Sequence, residues 1–246
     1  MINDGYVVVT HFSSIVILSH NKLPYTQACI SSIREYTVPN TYEIIVVDNN
    51  SSDGTKEWLE KQNTIRCIYN SENLGFPVGC NQGMNISCGD TVVLLNNDTV
   101  VTKNWLSLLL DSLYSSNEIG AVSPVTNNSS YYQAIPTQYQ SLEEMHQFAE
   151  GYNNNHAALE HRIKLVGFCM VIKKSIIDSV GLFDERFTLG NFEDDDYSFR
   201  ILKAGYKLAL CRNVFIHHFG SISLKENPEA YGQLLLNNRE PEIFMV

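Results

Sequence analysis

Residues 90–99 run Asp-Thr-Val-Val-Leu-Leu-Asn-Asn-Asp-Thr, an unbroken Val/Leu stretch that stops on two amides and a carboxylate. A stretch so short and so apolar needs burial on both faces. That is the position of a strand inside a parallel sheet covered by helices. It commits the chain to an α/β architecture. In open α/β sheets the ligand crevice lies beyond the carboxyl ends of the strands, so Asp98 falls where a ligand is expected. A short hard-oxygen group there suits Mg²⁺ or Mn²⁺ held against a phosphate. The same Asn-Asn-Asp-Thr is also an ordinary turn sequence, because Asn and Asp hydrogen-bond their own backbone.

The preceding chain repeats the pattern. SIVILS at 14–19 and EIIVV at 43–47 are further buried strands, and 65–69 is a third. Between them 23–36 and 55–62 carry helical spacing, the first broken by Pro39-Asn40, the second with Asp53 placed to cap it. Strand and helix alternate, so the first hundred residues spell βαβαβ with a parallel sheet. Right-handed crossovers then bring the strand ends at 19, 48 and 96 to one rim. Pro77 suits the first turn of a helix over 77–87. Residues 103–115 form an amphipathic helix with Trp105, Leu108, Leu109 and Leu113 on one face.

In the second half, 127–140 is polar and expected as a loop, 142–149 as a helix, and 151–156 as a mobile turn. LVGFCMVIK at 165–173 is expected as one buried strand, with Gly167 marking a close backbone approach or a bulge. Helices follow at 175–180 and 192–204, then short strands at 208–210 and 214–216. Strand-like 6–9 has no evident partner, and 228–238 is a candidate last helix.

Bulk properties exclude some functions. A net charge of −10 leaves no basic surface for a nucleic acid. No apolar run reaches the roughly 18 residues of a membrane span. The six cysteines form no Cys-x-x-Cys pair, which points to reduced thiols and a cytoplasmic setting, not a disulfide frame or a zinc site. The turn after the first strand, Ser19-His20-Asn21-Lys22, lacks a glycine-rich dinucleotide fingerprint. The chain also lacks a phosphate-loop motif and a Gly-x-Ser-x-Gly elbow.

Two further clusters carry chemistry. Glu193-Asp194-Asp195-Asp196 is a run of four carboxylates. Part of it is explained by the helix dipole, which favours acids in a first turn by about 0.3–1 kcal/mol each. Part is explained by Asp196 and Arg200, spaced to pair on a helix. Side chains about 100° apart leave one or two of the four free to face a site. His217-His218 follows the last strand. Imidazole is a common transition-metal ligand, and adjacent histidines cannot easily share one ion.

In this order and spacing the motifs SIVILSHNK, EIIVVDNNSSDGT, NLGFPVGCNQGM, GDTVVLLNNDTVV, LVGFCMVIKK, VGLFDERFTLGNFEDDDYSFRILKAGYKL and IHHFGSIS resemble those of family 2 glycosyltransferases of the GT-A fold. The resemblance covers about residues 13–223. It implies an α/β, Rossmann-like open mixed sheet, mostly parallel in its N-terminal half and flanked by helices. It implies inverting transfer of a sugar from a nucleotide-diphosphate donor. The acceptor is expected to be a glycan, a lipid-linked saccharide or a protein, and the setting the cytoplasm, with association at the inner face of the membrane open. A single domain over 1–225 is expected, with a nucleotide-binding half at about 13–100, an acceptor half at about 101–225, and a helical tail at 226–246.

By position, Asp48 resembles the carboxylate that reads the nucleotide base, pointing to a UDP-sugar. Asn73, Gly75 and Asn81 fall in the Asn-x-Gly…Asn stretch at the donor site, with Ser19 at the end of the first strand. Asn96-Asn97-Asp98 replaces the Asp-x-Asp motif. Asn96 in the first place leaves Asp98 as the sole carboxylate ligand to a divalent metal, Mn²⁺ or Mg²⁺. Glu193-Asp194 matches the Glu-Asp pair that supplies the base, assigned to Asp194, with Asp195 and Asp196 open by a register error. His217 matches the histidine over the metal and diphosphate, with His218 as runner-up. The competing class is a degenerate transferase acting as a nucleotide-sugar-binding module or as a subunit of a larger glycosylation complex. A sugar nucleotidyltransferase would need a Gly-rich, Arg-bearing loop where SHNKLPY stands.

Overall fold

The computed structural model describes residues 11–154 and 159–220. The expected strand at 6–9, the helix at 228–238 and the tail at 226–246 lie outside them, as does part of the turn at 151–156. The elements run β1 (Ser13–Ser19), α1 (Leu23–Tyr36), β2 (Tyr42–Asp48), α2 (Thr55–Leu59), β3 (Ile65–Tyr69), α3 (Phe76–Ile86), β4 (Thr91–Asn96) and β5 (Thr99–Val100). They continue with α4 (Trp105–Tyr114), β6 (Ile119–Val125), α5 (Leu142–Tyr152), β7 (Leu159–Arg162), β8 (Cys169–Lys173) and α6 (Lys174–Val180). A 3₁₀ turn (Glu185–Phe187), α7 (Glu193–Lys203), β9 (Lys207–Phe215) and β10 (His217–His218) complete them.

One eight-stranded sheet has the order β3-β2-β1-β4-β8-β6-β9-β7. The first four strands are parallel. β8 runs antiparallel between β4 and β6, β6 and β9 are parallel, and β7 closes the edge antiparallel. The expected mixed sheet is thus present, with its parallel part at the N-terminal end. Strand alternation splits the core. Ile15, Ile17, Ile44 and Val46 pack with α1 and α4, burying Ile30, Ile33, Trp105 and Leu109. Val16, Ile45, Val92 and Leu94 face the other way, toward Met84, Ile176, Tyr197 and Ile201 of α3, α6 and α7. Each of these large apolar side chains contributes about 1.5–3 kcal/mol when fully buried. α3 approaches β1 through two glycines: a Cβ at Gly79 or Gly83 would come within 2.2 Å of Leu18 or 2.3 Å of Val16.

The register fixes the rim. Ser19 sits opposite Asp48, Leu18 opposite Asn96, and Asp48 opposite Tyr69. Asp53 accepts from the Thr55 amide (3.2 Å) and hydroxyl, and also from the Leu23 amide (2.8 Å), tying the starts of α1 and α2 together.

Four expectations need correction. The strand expected over 165–173 begins only at Cys169. Ahead of it, three successive amides turn to side chains: Leu165 N–H to Ser198 Oγ (3.1 Å), Val166 to Gln133 Oε1 (2.7 Å), Gly167 to Asp194 Oδ2 (2.9 Å). The pieces expected at 208–210 and 214–216 belong to one strand, Lys207–Phe215, whose pairing with β6 shifts register after Cys211; there Arg212 binds Glu160 and Asn213 donates to the Asn154 carbonyl. The helix expected over 142–149 runs to Tyr152. Asn153, placed in a mobile turn, is buried and bonded to Thr102 Oγ1, the Lys103 carbonyl and the Phe215 amide at 2.8–2.9 Å. All six thiols are free, with Cys29, Cys80, Cys169 and Cys211 buried and Cys88 exposed. Among the described residues no helix is long and apolar enough to cross a membrane.

Candidate active site

The carboxyl ends of β1, β2 and β4 deliver a polar layer. Ser19 Oγ shares a 3.1 Å hydrogen bond with Thr26 Oγ1, which also accepts from Asn97 Nδ2 at 3.0 Å. Asp48 is buried: its Oδ2 accepts from the Ser51 amide at 3.2 Å, and its Oδ1 has no partner among the described residues. A buried carboxylate oxygen left unpaired is costly unless a ligand donor meets it. The Asn96 backbone is fixed by the Phe168 carbonyl (2.9 Å) and the Thr99 hydroxyl (2.7 Å).

Asn73, Gly75 and Asn81 frame this layer. Asn73 Oδ1 accepts from the Gly75 amide (3.0 Å) and from Asn49 Nδ2 (3.2 Å), which also donates to the Gly75 carbonyl (3.0 Å). Gly75 has φ +83, and a Cβ there would lie 2.0 Å from the Thr188 carbonyl oxygen. Asn81 donates to the Phe183 carbonyl and Glu185 and accepts from the Phe183 amide, each at 2.9 Å. It therefore holds the 183–185 segment, and its hydrogen-bonding groups are engaged there.

Asp98, in the turn between β4 and β5, is mostly buried. β10 pairs with β5, setting His218 opposite Thr99 and His217 opposite Val100. Successive strand residues face opposite sides. His218 faces Asp98, with Nε2 3.2 Å from Oδ1. Its Nδ1 donates to the Asn128 carbonyl at 2.8 Å, which leaves the Nε2 lone pair bare in the neutral ring. Asn127 brackets the His218 backbone, donating to its carbonyl and accepting from its amide. His217 is turned to Tyr139, whose hydroxyl lies 2.6 Å from Nδ1. Burial, then the neighbouring His218, push the His217 pKa down to about 4. Among the described residues no three His, Cys, Asp or Glu side chains gather into a complete metal cage. Asp98 and His218 bring a carboxylate oxygen and an imidazole nitrogen to within 3.2 Å of one another, a donor pair that would suit a divalent cation.

The acidic run sorts itself at the start of α7. Asp195 is ion-paired with Lys164, and Asp196 with Arg200 Nε at 2.8 Å. Glu193 and Asp194 have no ion-pair partner among the described residues. Glu193 is buried with Oε2 unpaired. Its pKa is pushed up from 4.5 to about 8 by burial and by the Asp194 charge. Asp194 is also raised, by burial first and Asp195 second, against the Gly167 amide and Lys164, which lower it. The close approach expected at Gly167 is to this side chain: a Cβ there would lie in ordinary contact with Asp194, 3.4 Å from its Cβ.

Phe168 joins the two acidic centres. The amide before it holds Asp194, while its own ring stacks on His218 at 5.3 Å and 16°. The sequence offered no sign of this role, nor of those of Asn49, Gln133 and Ser198. Only the pairing of the strands reveals them.

The profile of Glycosyl transferase family 2 matches residues 14–181. Glycosyltransferase AglE of Haloferax volcanii is 24% identical over 232 residues, covering 91% of this chain and 73% of AglE. Two solved structures share the GT-A-like fold. GalNAc-T7 with UDP, GalNAc and Mn²⁺ matches at TM-score 0.67 and 17% identity over 85% of this chain. The mannosyltransferase PcManGT from Pyrobaculum calidifontis, in complex with GDP-Man and Mn²⁺, matches at TM-score 0.67 and 16% identity over 93% of it. The chain spans 43% and 63% of those two chains.

Proposed function

The chain belongs to glycosyl transferase family 2, and on that premise we propose that it is an inverting transferase moving a sugar from a UDP-sugar to an acceptor hydroxyl. The observation that carries this is the sorting of the carboxylates. Two of the four acids at α7 are neutralised by Lys164 and Arg200, whereas Asp194 is not and stands beside Gly167. Asp98 lies apart, against His218.

The roles follow from that separation. Asp48 Oδ1, buried and unpaired, accepts the imide N–H of a uracil. Ser19, Asn96 and Asn97 line the floor beneath the nucleotide. Asn73, Gly75 and Asn81 act by holding the segment at 183–189 in place. Asp98 and His218 would hold a divalent cation, Mn²⁺ or Mg²⁺; His217, by contrast, braces β10 against Tyr139. When bound, the cation supplies Lewis-acid stabilisation of the charge that develops on the departing diphosphate. Asp194 takes the proton of the acceptor hydroxyl as that oxygen attacks the anomeric carbon from the face opposite the diphosphate. Its raised pKa makes it a better proton acceptor than an exposed Asp. Glu193, protonated up to about pH 8, adds no second negative charge beside it at neutral pH.

The two solved structures above both contain Mn²⁺, but one holds UDP and the other GDP-Man. The UDP preference therefore rests on Asp48. A screen of UDP-, GDP- and dTDP-sugars for hydrolysis and thermal shift tests the reading without the acceptor. UDP-sugar hydrolysis abolished by EDTA is expected. Full hydrolysis in excess EDTA, or GDP binding without UDP binding, overturns the metal or the base assignment. Tight nucleotide-sugar binding with no turnover on any acceptor identifies a binding module instead.

A further inference from the structure

Tyr131 and Tyr132 have φ of +53 and +59, a region that bulky side chains rarely enter and that two in succession enter more rarely still. Such strain persists only where surrounding structure imposes it, and it concentrates at functional sites. Here the frame is explicit. Arg162 donates to both tyrosine carbonyls, at 3.1 and 3.2 Å. The Gln133 side chain is buried, donates to Ser123 Oγ (2.9 Å) and accepts from the Val166 amide (2.7 Å). The Lys164 ammonium lies 2.9 Å from the centre of the Tyr131 ring and pairs with Asp195, next to Asp194. The effect is to hold Tyr132 85% exposed, next in sequence to the Tyr131 ring that Lys164 links to Asp195.

A large aromatic ring kept in water by a strained, fully braced backbone is not explained by packing. We propose that Tyr132 is a stacking platform for the C–H face of a pyranose ring of the acceptor, with Tyr131 and Lys164 fixing its position relative to Asp194. This names the acceptor as a saccharide, and it rests on the transferase reading above. An amphipathic tyrosine ring suits a sugar, which has one apolar face and a hydrogen-bonding edge. The net charge of −10 disfavours an anionic lipid surface as the occupant.

The test is saturation-transfer NMR from the protein to methyl glycopyranosides of glucose, galactose, mannose and N-acetylglucosamine, with UDP and Mg²⁺ present. Calorimetry of UDP–Mg²⁺ on the same samples reports the donor site separately. Saturation of the ring C–H protons of at least one glycoside is expected. Affinity should weaken about tenfold in Tyr132→Ala and be kept in Tyr132→Phe. No transfer to any glycoside while UDP binds overturns the platform, as does unchanged transfer in Tyr132→Ala. Tyr132-dependent sedimentation with phosphatidylcholine–phosphatidylglycerol vesicles, without glycoside binding, overturns it in favour of a membrane. Glycoside binding through Tyr132 with no UDP binding upholds the platform and removes the donor assignment instead.

Discussion

His218 Nε2 lies 3.2 Å from Asp98 Oδ1, while the adjacent His217 packs on Tyr139. One residue of register on a two-residue strand decides which imidazole meets the carboxylate. His218→Ala should therefore lower metal affinity by at least about 10–100-fold, the cost usual even for residues that only orient a ligand. His217→Ala should leave the Mn²⁺ titration unchanged and cost about 1–3 kcal/mol of stability, since it strands the Tyr139 hydroxyl. Mn²⁺-dependent UDP binding by calorimetry, with a melting curve for each variant, separates the two. The reverse pattern would return the metal role to His217.

Asp194→Asn keeps the shape of the side chain and cannot accept a proton. Turnover should fall by about 10²–10⁴-fold with donor binding nearly intact. Asp195→Asn and Asp196→Asn are internal controls, because each loses an ion pair to Lys164 or Arg200. Near-wild-type turnover in a folded Asp194→Asn protein, beside a dead control, would move the base along α7.

Glu193 gives a pH signature. Its pKa is about 8 in the folded protein against 4.5 for an ordinary Glu, so between those values the folded state binds more protons than the unfolded state. Its contribution to stability is then greatest below about pH 4.5 and declines as pH rises to about 8, by about 1.4 kcal/mol per unit at the steepest. Denaturant melts of wild type and Glu193→Gln across that range should converge at low pH, with the variant relatively more stable at high pH. Parallel curves would show that Glu193 titrates normally.

Gly75→Ala places a methyl group 2.0 Å from the Thr188 carbonyl at φ +83. Both backbones are at fault, so no side chain can move aside. A loss of more than about 1 kcal/mol is expected, with weaker nucleotide binding because Asn49 and Asn73 bond the same peptide groups. A melting temperature equal to wild type would show that the 188–189 backbone yields freely.

The nucleotide half was legible because its strands are unbroken apolar runs. The α1 helix and β3 fall at the expected residues, and β1, β2 and β4 within one or two of them. The second half was less so. β6, Ile-Gly-Ala-Val-Ser-Pro-Val, went unrecognised because Gly, Ser and an internal Pro speak against a strand. Its Pro124 falls at a register shift against β9, the kind of irregularity where a strand tolerates proline. β5, β7 and β10 are too short to show a period. Asp194 was singled out through its family motif, but its pairing with Gly167 across 27 residues leaves no local trace. His217 and His218 were indistinguishable without knowing which face of β10 meets Asp98.

The three side-chain-capped amides at 165–167 have a consequence for how this chain tolerates change in length. Leu165, Val166 and Gly167 are each bound to a different side chain, Ser198 and Asp194 on α7 and Gln133 from the long loop, with Phe168 against His218 directly after them. Gain or loss of one residue here would rotate every one of these groups to the wrong neighbour at once. The segment is a fixed-length gauge between the two acidic centres, and relatives that differ in loop length should carry their insertions elsewhere.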